Sequence, residues 1–354
     1  MNHNRIMQSI LNTPDIKSSR ITQLDVAKGI AIIAVILGHC GLKSINAVVY
    51  SFHLPLFFLV SGYFCNTDTP FIDFVRKRFK QLIIPYVIAS CIIITLLTVE
   101  ALASGTITPK AVFKSYVLAA LYGSGGRVQL PWGNINAIGA IWFLPATFFA
   151  QVIWRYVVTK QKNFLWLIII AVVGYYTSKL IWLPMSIQAG MTCAIFIYLG
   201  HYGKGKIELN SRKDTKSTIF YVLCAIVWLI NILFFPHFYI VDNHMQGGFL
   251  NIAGGVCGSL LVIRFSFLLS SFFASISSFF KWCGTHSLII LCIHDIDMLC
   301  GYAYAICSIL GIGQHNEVVA IRLLTGALLA TAAYALARKI IKRYAPLSRV
   351  SLNN

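Results

Sequence analysis

The chain has 354 residues, 58% of them hydrophobic and 11% charged, with a mean hydropathy of +0.75. Soluble domains carry roughly 25% charged residues, so the composition argues against an aqueous enzyme, a disordered regulator or a disulfide-stapled secreted module; apolar runs of about twenty residues point to membrane helices, not barrel strands. The net charge of +18, from 29 Lys and Arg against 11 Asp and Glu, is spread over short loops between those runs, which reads as an orientation signal with attraction for anionic lipid or an anionic cofactor; no nucleic-acid partner is expected.

The N-terminal segment is polar to about Gln23 and lacks a small-residue cleavage site, so the first apolar run is expected to be a retained helix, not a signal peptide. An all-α integral membrane protein of about ten transmembrane helices is predicted. The spans are Val26–Leu42, Ala47–Cys65, Leu82–Ala103, Ile138–Val158, Phe164–Leu183, Met185–Leu199, Thr218–Phe235, Phe249–Phe273, Phe279–Leu299 and Val318–Ala337. Basic residues mark alternate loops: Arg76, Lys77, Arg78 and Lys80; Lys160 and Lys162; Lys204, Lys206, Arg212, Lys213 and Lys216; Lys281; and the tail with Arg338, Lys339, Lys342, Arg343 and Arg349. Those loops are predicted to be cytoplasmic, with both termini inside, because the other side holds only Lys43, Lys110, Lys114, Arg127 and Lys179. The expected organisation is a cytoplasmic tail over 1–23, a ten-helix domain over 24–337 and a basic tail over 338–354, with no linker, repeat or appended soluble domain. The outer segment Ser104–Ala137 contains Gly123–Gly126, read as a mobile loop near an outward-facing site, and Lys110–Tyr122 is apolar enough to lie on the membrane surface. Ten cysteines sit mostly within apolar runs without a C-x-x-C pair, so free thiols are expected, and neither disulfides nor a metal site.

Charged and imidazole side chains inside spans are costly and mark a site or a packing device. Lys28 and His39 are eleven residues apart, about 16 Å along a helix and nearly on one face, so they line one groove at two depths. Snorkelling of Lys28 to the inner headgroups competes evenly with a site role. His53 near the outer start of the second span, and His294 in the ninth, roughly 20 Å above the inner face, bring two further imidazoles to the outer half. Asp295 and Asp297 follow His294; Asp297, three residues on, is the nearer helical neighbour to orient the imidazole, and an ion pair of these carboxylates with Arg322 or Arg264 is the equally weighted structural explanation. The basic quartet precedes Pro85 and Tyr86 at the inner mouth of the third span, where with Lys28 it would draw a donor bearing several phosphates. No Walker-type or dinucleotide-binding glycine pattern is present.

The run LDVAKGIAIIAVILGH, Leu24–His39, resembles the opening of the acyltransferase-3 family of multi-span membrane acyltransferases, in which ten residues separate a basic residue from a histidine, here Lys28 and His39. The resemblance continues through SFHLPLFFLVSGYF (Ser51–Phe64), FVRKRFKQLIIPY (Phe74–Tyr86), IWFLPA (Ile141–Ala146) and THSLIILCIHD (Thr285–Asp295). It implies a ten-helix protein that takes acetyl from cytoplasmic acetyl-CoA, its co-substrate, and places it on a hydroxyl of an envelope carbohydrate or lipid-linked sugar, with His39 catalytic. The family's Arg-x-x-Arg element aligns as Arg78 with Gln81, so the second arginine is missing and Arg76 or Lys80 is left as a substitute. Many relatives carry an extracytoplasmic hydrolase-like domain; its expected absence implies direct modification of the acceptor. His53 before Leu54 and Pro55 resembles the branch that O-acetylates polysaccharides and sugars, in the bacterial cytoplasmic membrane.

A neutral imidazole suits proton removal from a sugar hydroxyl near pH 7, so His39 is expected to be the base or an acyl carrier. Ser61, Tyr63 and His53 are candidate donors to the oxyanion. The expected site is therefore His39, His53, His294, Asp297 and Ser61 for chemistry and Lys28, Arg76, Arg78 and Lys80 for the donor. The lipid bilayer is a further expected partner, and a homo-oligomer is left open. The alternative is a transporter or exporter of small acids or lipid-linked sugars, which intramembrane His, Lys and Arg also suit, although no pair of Gly/Pro-broken helices recurs in the two halves.

Overall fold

The computed structural model describes residues 22–39, 43–105, 107–160, 164–204, 215–301, 309, 326–328 and 330–336. Helix α1 is Thr22–Gly38 and α2 is Lys43–Tyr63. Helix α3, Phe71–Arg78, runs through a π turn, Phe79–Ile83, into α4, Ile84–Ser104. The π turn has a local cause: Pro85, at the start of α4, offers no N–H and its ring presses on the preceding turn, which widens to accept it. Next come α5, Pro109–Tyr122, and the hairpin β1–β2, Val128–Leu130 paired antiparallel with Gly133–Ile135. A 3-10 turn, Ala140–Trp142, leads into α6, Phe143–Thr159, followed by α7, Phe164–Leu180, and α8, Ile187–Tyr202. Helix α9 is Thr215–Phe234; after it the short strands β3, Phe238–Tyr239, and β4, His244–Met245, form a second hairpin. Helices α10, Phe249–Phe272, α11, Ala274–Thr285, and α12, Ser287–Cys300, complete the fully described helices.

Five helical runs, α2, α3–α4, α6, α9 and α10, are long and apolar enough to cross a membrane, and α11–α12 makes a sixth if taken as one broken span. Helices α1, α7 and α8 coincide with predicted spans and have 17, 17 and 16 residues. The tenth predicted span lies outside the described residues except for 326–328 and 330–336, which are helical; both tails, Arg322, Lys162, Lys206, Arg212 and Lys213 also lie outside them. The ninth predicted span, Phe279–Leu299, is not one straight helix. It breaks at His286, and its two halves are bent by 72°, so a straight rise from Lys281 does not give the depth of His294.

Burial separates inner from outer helices: 61% of the apolar window in α2 and in α6 is enclosed by protein, against 17% in α9, whose Leu223, Leu229, Leu233 and Phe234 face outward. With little hydrophobic drive between helices in lipid, close backbone approach supplies the packing. Gly29 of α1 lies against the Phe280 carbonyl while Gly284 of α11 lies against that of Asp25, and Gly62 of α2 and Gly200 of α8 meet the carbonyls of Ile197 and Leu59. A Cβ at any of these four positions collides with backbone.

Two sets of described connecting segments meet. At one end Lys179 donates to the Asn243 carbonyl (2.9 Å), and Gly125 packs on Trp142 and Val241. Gly123–Gly126 is thus a fitted connection: Ser124 is buried and its carbonyl accepts the Ile138 N–H at 2.8 Å. At the other end the α2–α3 loop meets α6 and α8. The eight described cysteines are free thiols.

Candidate active site

One stripe of α1 carries Lys28, Ile32, Val35 and His39 along a cavity of about 400 Å³, so the groove read from their spacing exists. Helix α2, running the opposite way, adds Tyr50, His53, Phe57 and Ser61 to the same cavity. Gly139, Ala140, Trp142 and Phe143, with Tyr239–Val241 after α9, line a further part of it, and Ser287, Leu288, Leu291 and Met298 of α12 form another wall.

The histidines are held by their own helices. His39 Nδ1 lies 2.7 Å from the Val35 carbonyl oxygen, and His53 Nδ1 lies 2.6 Å from that of Val49. A carbonyl only accepts, so Nδ1 carries the hydrogen in both rings and Nε2 keeps a lone pair. That tautomer is the one a general base requires. His294, fully buried on α12, stacks obliquely behind His39 with ring centroids 5.4 Å apart, and neither of its ring nitrogens has a hydrogen-bond partner among the described residues. Asp297 is not brought to it: Asp297 is half-buried, outside the cavity, with a carboxylate oxygen facing Gly326. Asp295 is the fully buried member of the pair, and its Oδ1 accepts the Ala140 N–H. Within α12 the two carboxylates point to different neighbours, Asp295 to the Ala140 N–H and Asp297 toward Gly326, so the imidazole is left to pack on His39. Arg264 lies over the Tyr221 ring at 5.5 Å.

Lys28 borders the cavity with its ammonium 2.8 Å from Asp25, a side chain only 1% exposed. This intrahelical pair settles part of the cost of a lysine inside the protein, and three-residue spacing was its signal in the sequence.

The basic quartet divides. Arg76 is exposed and stands 3.8 Å from Asp73, and Lys80 is exposed. Arg78 folds inward, donating to Gln81 Oε1 (3.1 Å) and to the Phe64 carbonyl (3.3 Å), with its guanidinium over the Phe74 ring. The position lacking the second arginine thus serves as an acceptor for the first. Sequence reasoning missed the partners of Arg78 on this face. Arg155, 6% exposed on α6, donates to the carbonyls of Thr67 and Thr69, each at 2.8 Å, and to Thr159. Lys204 Nζ reaches the Cys65 carbonyl at 2.9 Å, where His201 Nδ1 also sits, at 3.2 Å. Among the described residues no group of three or more His, Cys, Asp or Glu could hold a metal ion.

Apolar helices that enclose a cavity lined by imidazoles, with cations gathered at one end, define a membrane protein with a built polar site. Residues 21–337 match the acyltransferase-3 family model, an acyltransferase domain, and the chain belongs to that family of membrane acyltransferases. No curated protein and no solved structure matches the chain.

Proposed function

We propose that the protein is an acetyl-CoA-dependent O-acetyltransferase acting on a hydroxyl of an envelope carbohydrate, free or lipid-linked, in a bacterial cytoplasmic membrane. The observation that carries this reading is the single cavity with Lys28 at one depth and the His39 Nε2 lone pair at another. The positive-inside rule orients the Arg78, Arg155 and Lys204 end toward the cytoplasm, where CoA is found, and gives ten spans with both termini inside. Arg78, with Lys28 further in, then holds the donor's phosphates by charge-assisted bonds. The pantetheine arm follows the α1 stripe; the Lys28 to His39 rise of about 16 Å is comparable to its extended length. Ser61 is about 12 Å further along α2 than His53, at the depth of Lys28, and suits contact with this arm better than with the reacting carbonyl. The sugar enters beside Tyr50, His53 and Tyr239.

His39 Nε2 takes the proton of the sugar hydroxyl as the hydroxyl oxygen attacks the thioester carbonyl; the tetrahedral intermediate then expels the CoA thiolate, which takes that proton from His39. The His53 N–H is committed to the Val49 carbonyl, so this ring lines the sugar's entry and does not donate to the oxyanion. His294 backs the His39 ring and keeps it on the cavity wall. The test uses protein in nanodiscs with labelled acetyl-CoA. Wild type should transfer or hydrolyse acetyl, and His39→Ala should lose turnover while binding CoA nearly as well. Equal turnover in the variant would end the assignment. Mass spectrometry of envelope polysaccharide from cells with and without the protein should show a difference of one acetyl unit.

A further inference from the structure

Asp295 is a carboxylate enclosed in the protein that the reaction above does not use. It is fully buried; Oδ1 accepts the N–H of Ala140, and Oδ2 has no hydrogen-bond partner among the described residues. That N–H opens the Ala140–Trp142 turn and α6, and without an acceptor it would be stranded in an apolar interior. Gly139, immediately before them, has φ 79°, and a Cβ there would land on Asp295 Oδ1. Carboxylate, bare glycine and turn therefore form one interlocked joint.

The joint touches the site on both sides. Gly139, Ala140, Trp142 and Phe143 form the cavity wall, and His294, the residue before Asp295, stacks on His39. Successive residues on a helix diverge by about 100°, so α12 turns one of this pair toward α1 and the other toward the start of α6. We infer that Asp295 is a positioning residue that pins α12 to the Gly139–Trp142 turn, and so fixes at once the ring behind His39 and the wall facing it. Its service is hydrogen-bond acceptance at Oδ1, with no proton carried. The inference rests on the acetyltransferase reading for its kinetic part only, because the joint itself is a structural claim.

The experiment compares Asp295→Asn, Asp295→Ala, Gly139→Ala and the Gly139→Ala/Asp295→Ala double variant in nanodiscs, by acetyl-CoA turnover across pH, CoA binding and thermal unfolding. Asn keeps a carbonyl acceptor, so Asp295→Asn should retain most turnover with the wild-type pH profile. Asp295→Ala and Gly139→Ala should each lower turnover about 10- to 100-fold at unchanged CoA affinity, since small misplacements of reacting groups cost that much. The double variant should fall no lower than the worse single one, because both break the same contact. An Asn variant as poor as Ala with a displaced pH profile would make Asp295 a proton carrier and overturn the inference. Multiplying losses in the double variant would overturn it too. If wild-type protein proves to have no acetyl-CoA turnover, the unfolding temperatures still decide: shifts that add in the double variant refute the joint, and shifts that do not add uphold it.

Discussion

The cation-rich mouth and the buried centre both use main-chain oxygens to hold polar side chains, but they hold different kinds. At the mouth, Arg78, Arg155 and Lys204 converge on carbonyls of the Phe64–Thr69 segment, full charges set on a loop that ends in exposed residues. At the centre, His39 and His53 each lean on a carbonyl of their own helix, four residues back, and His294 on none. A cation can be kept where water and an anionic ligand are at hand; deep among apolar helices, a group neutral at rest costs far less. On the acetyltransferase reading the difference divides the work: permanent charge for binding at the edge, a lone pair for proton transfer inside.

The largest effect that would break this division is at His39. Replacement by Ala should lower acetyl turnover by about 10²- to 10⁴-fold, the usual share of general base catalysis, with CoA binding by calorimetry nearly intact. Loss of binding instead would place charge recognition at the centre. Next comes Arg155, 6% exposed with three oxygen partners. Arg155→Ala strands the Thr67 and Thr69 carbonyls and should destabilise the protein by about 3 kcal/mol, read as a lower unfolding temperature, with Arg155→Lys recovering part. A smaller change is expected at Arg78: its Ala variant should raise the donor KM by about tenfold with little change in kcat, and added salt should shrink the gap. Arg76→Ala and Lys80→Ala, altering exposed side chains, should move KM by less than about twofold at physiological salt. A large Arg76 effect would mean that the exposed face of α3, and not the inward-folded arginine, meets the donor.

Much of the architecture was legible because a span announces itself by length and hydropathy, and the Lys28–His39 groove because helical periodicity alone puts both on one stripe. The choice between Asp295 and Asp297 was not legible. It depends on the Gly139–Ala140 backbone, with Ala140 155 residues from Asp295, and this leaves no local pattern. Arg155 left no signal in the sequence, since two of its partners are carbonyls, which every residue has. Gly123–Gly126 reads as loose because glycine serves both mobile loops and tight contacts; here Gly125 leaves room for the Trp142 ring. In the basic quartet, sequence supplied the charges but not the one that turns inward.

The reciprocal seating of Gly29 on Phe280 and Gly284 on Asp25 has a metrical consequence. Main chain against main chain has no rotamers, so α1 cannot slide along α11 to suit a guest. Lys28 and His39 are therefore graduations on a fixed scale. On the acetyltransferase reading, a donor cut short of the pantetheine arm docks its phosphates at one mark and leaves its thioester below the other.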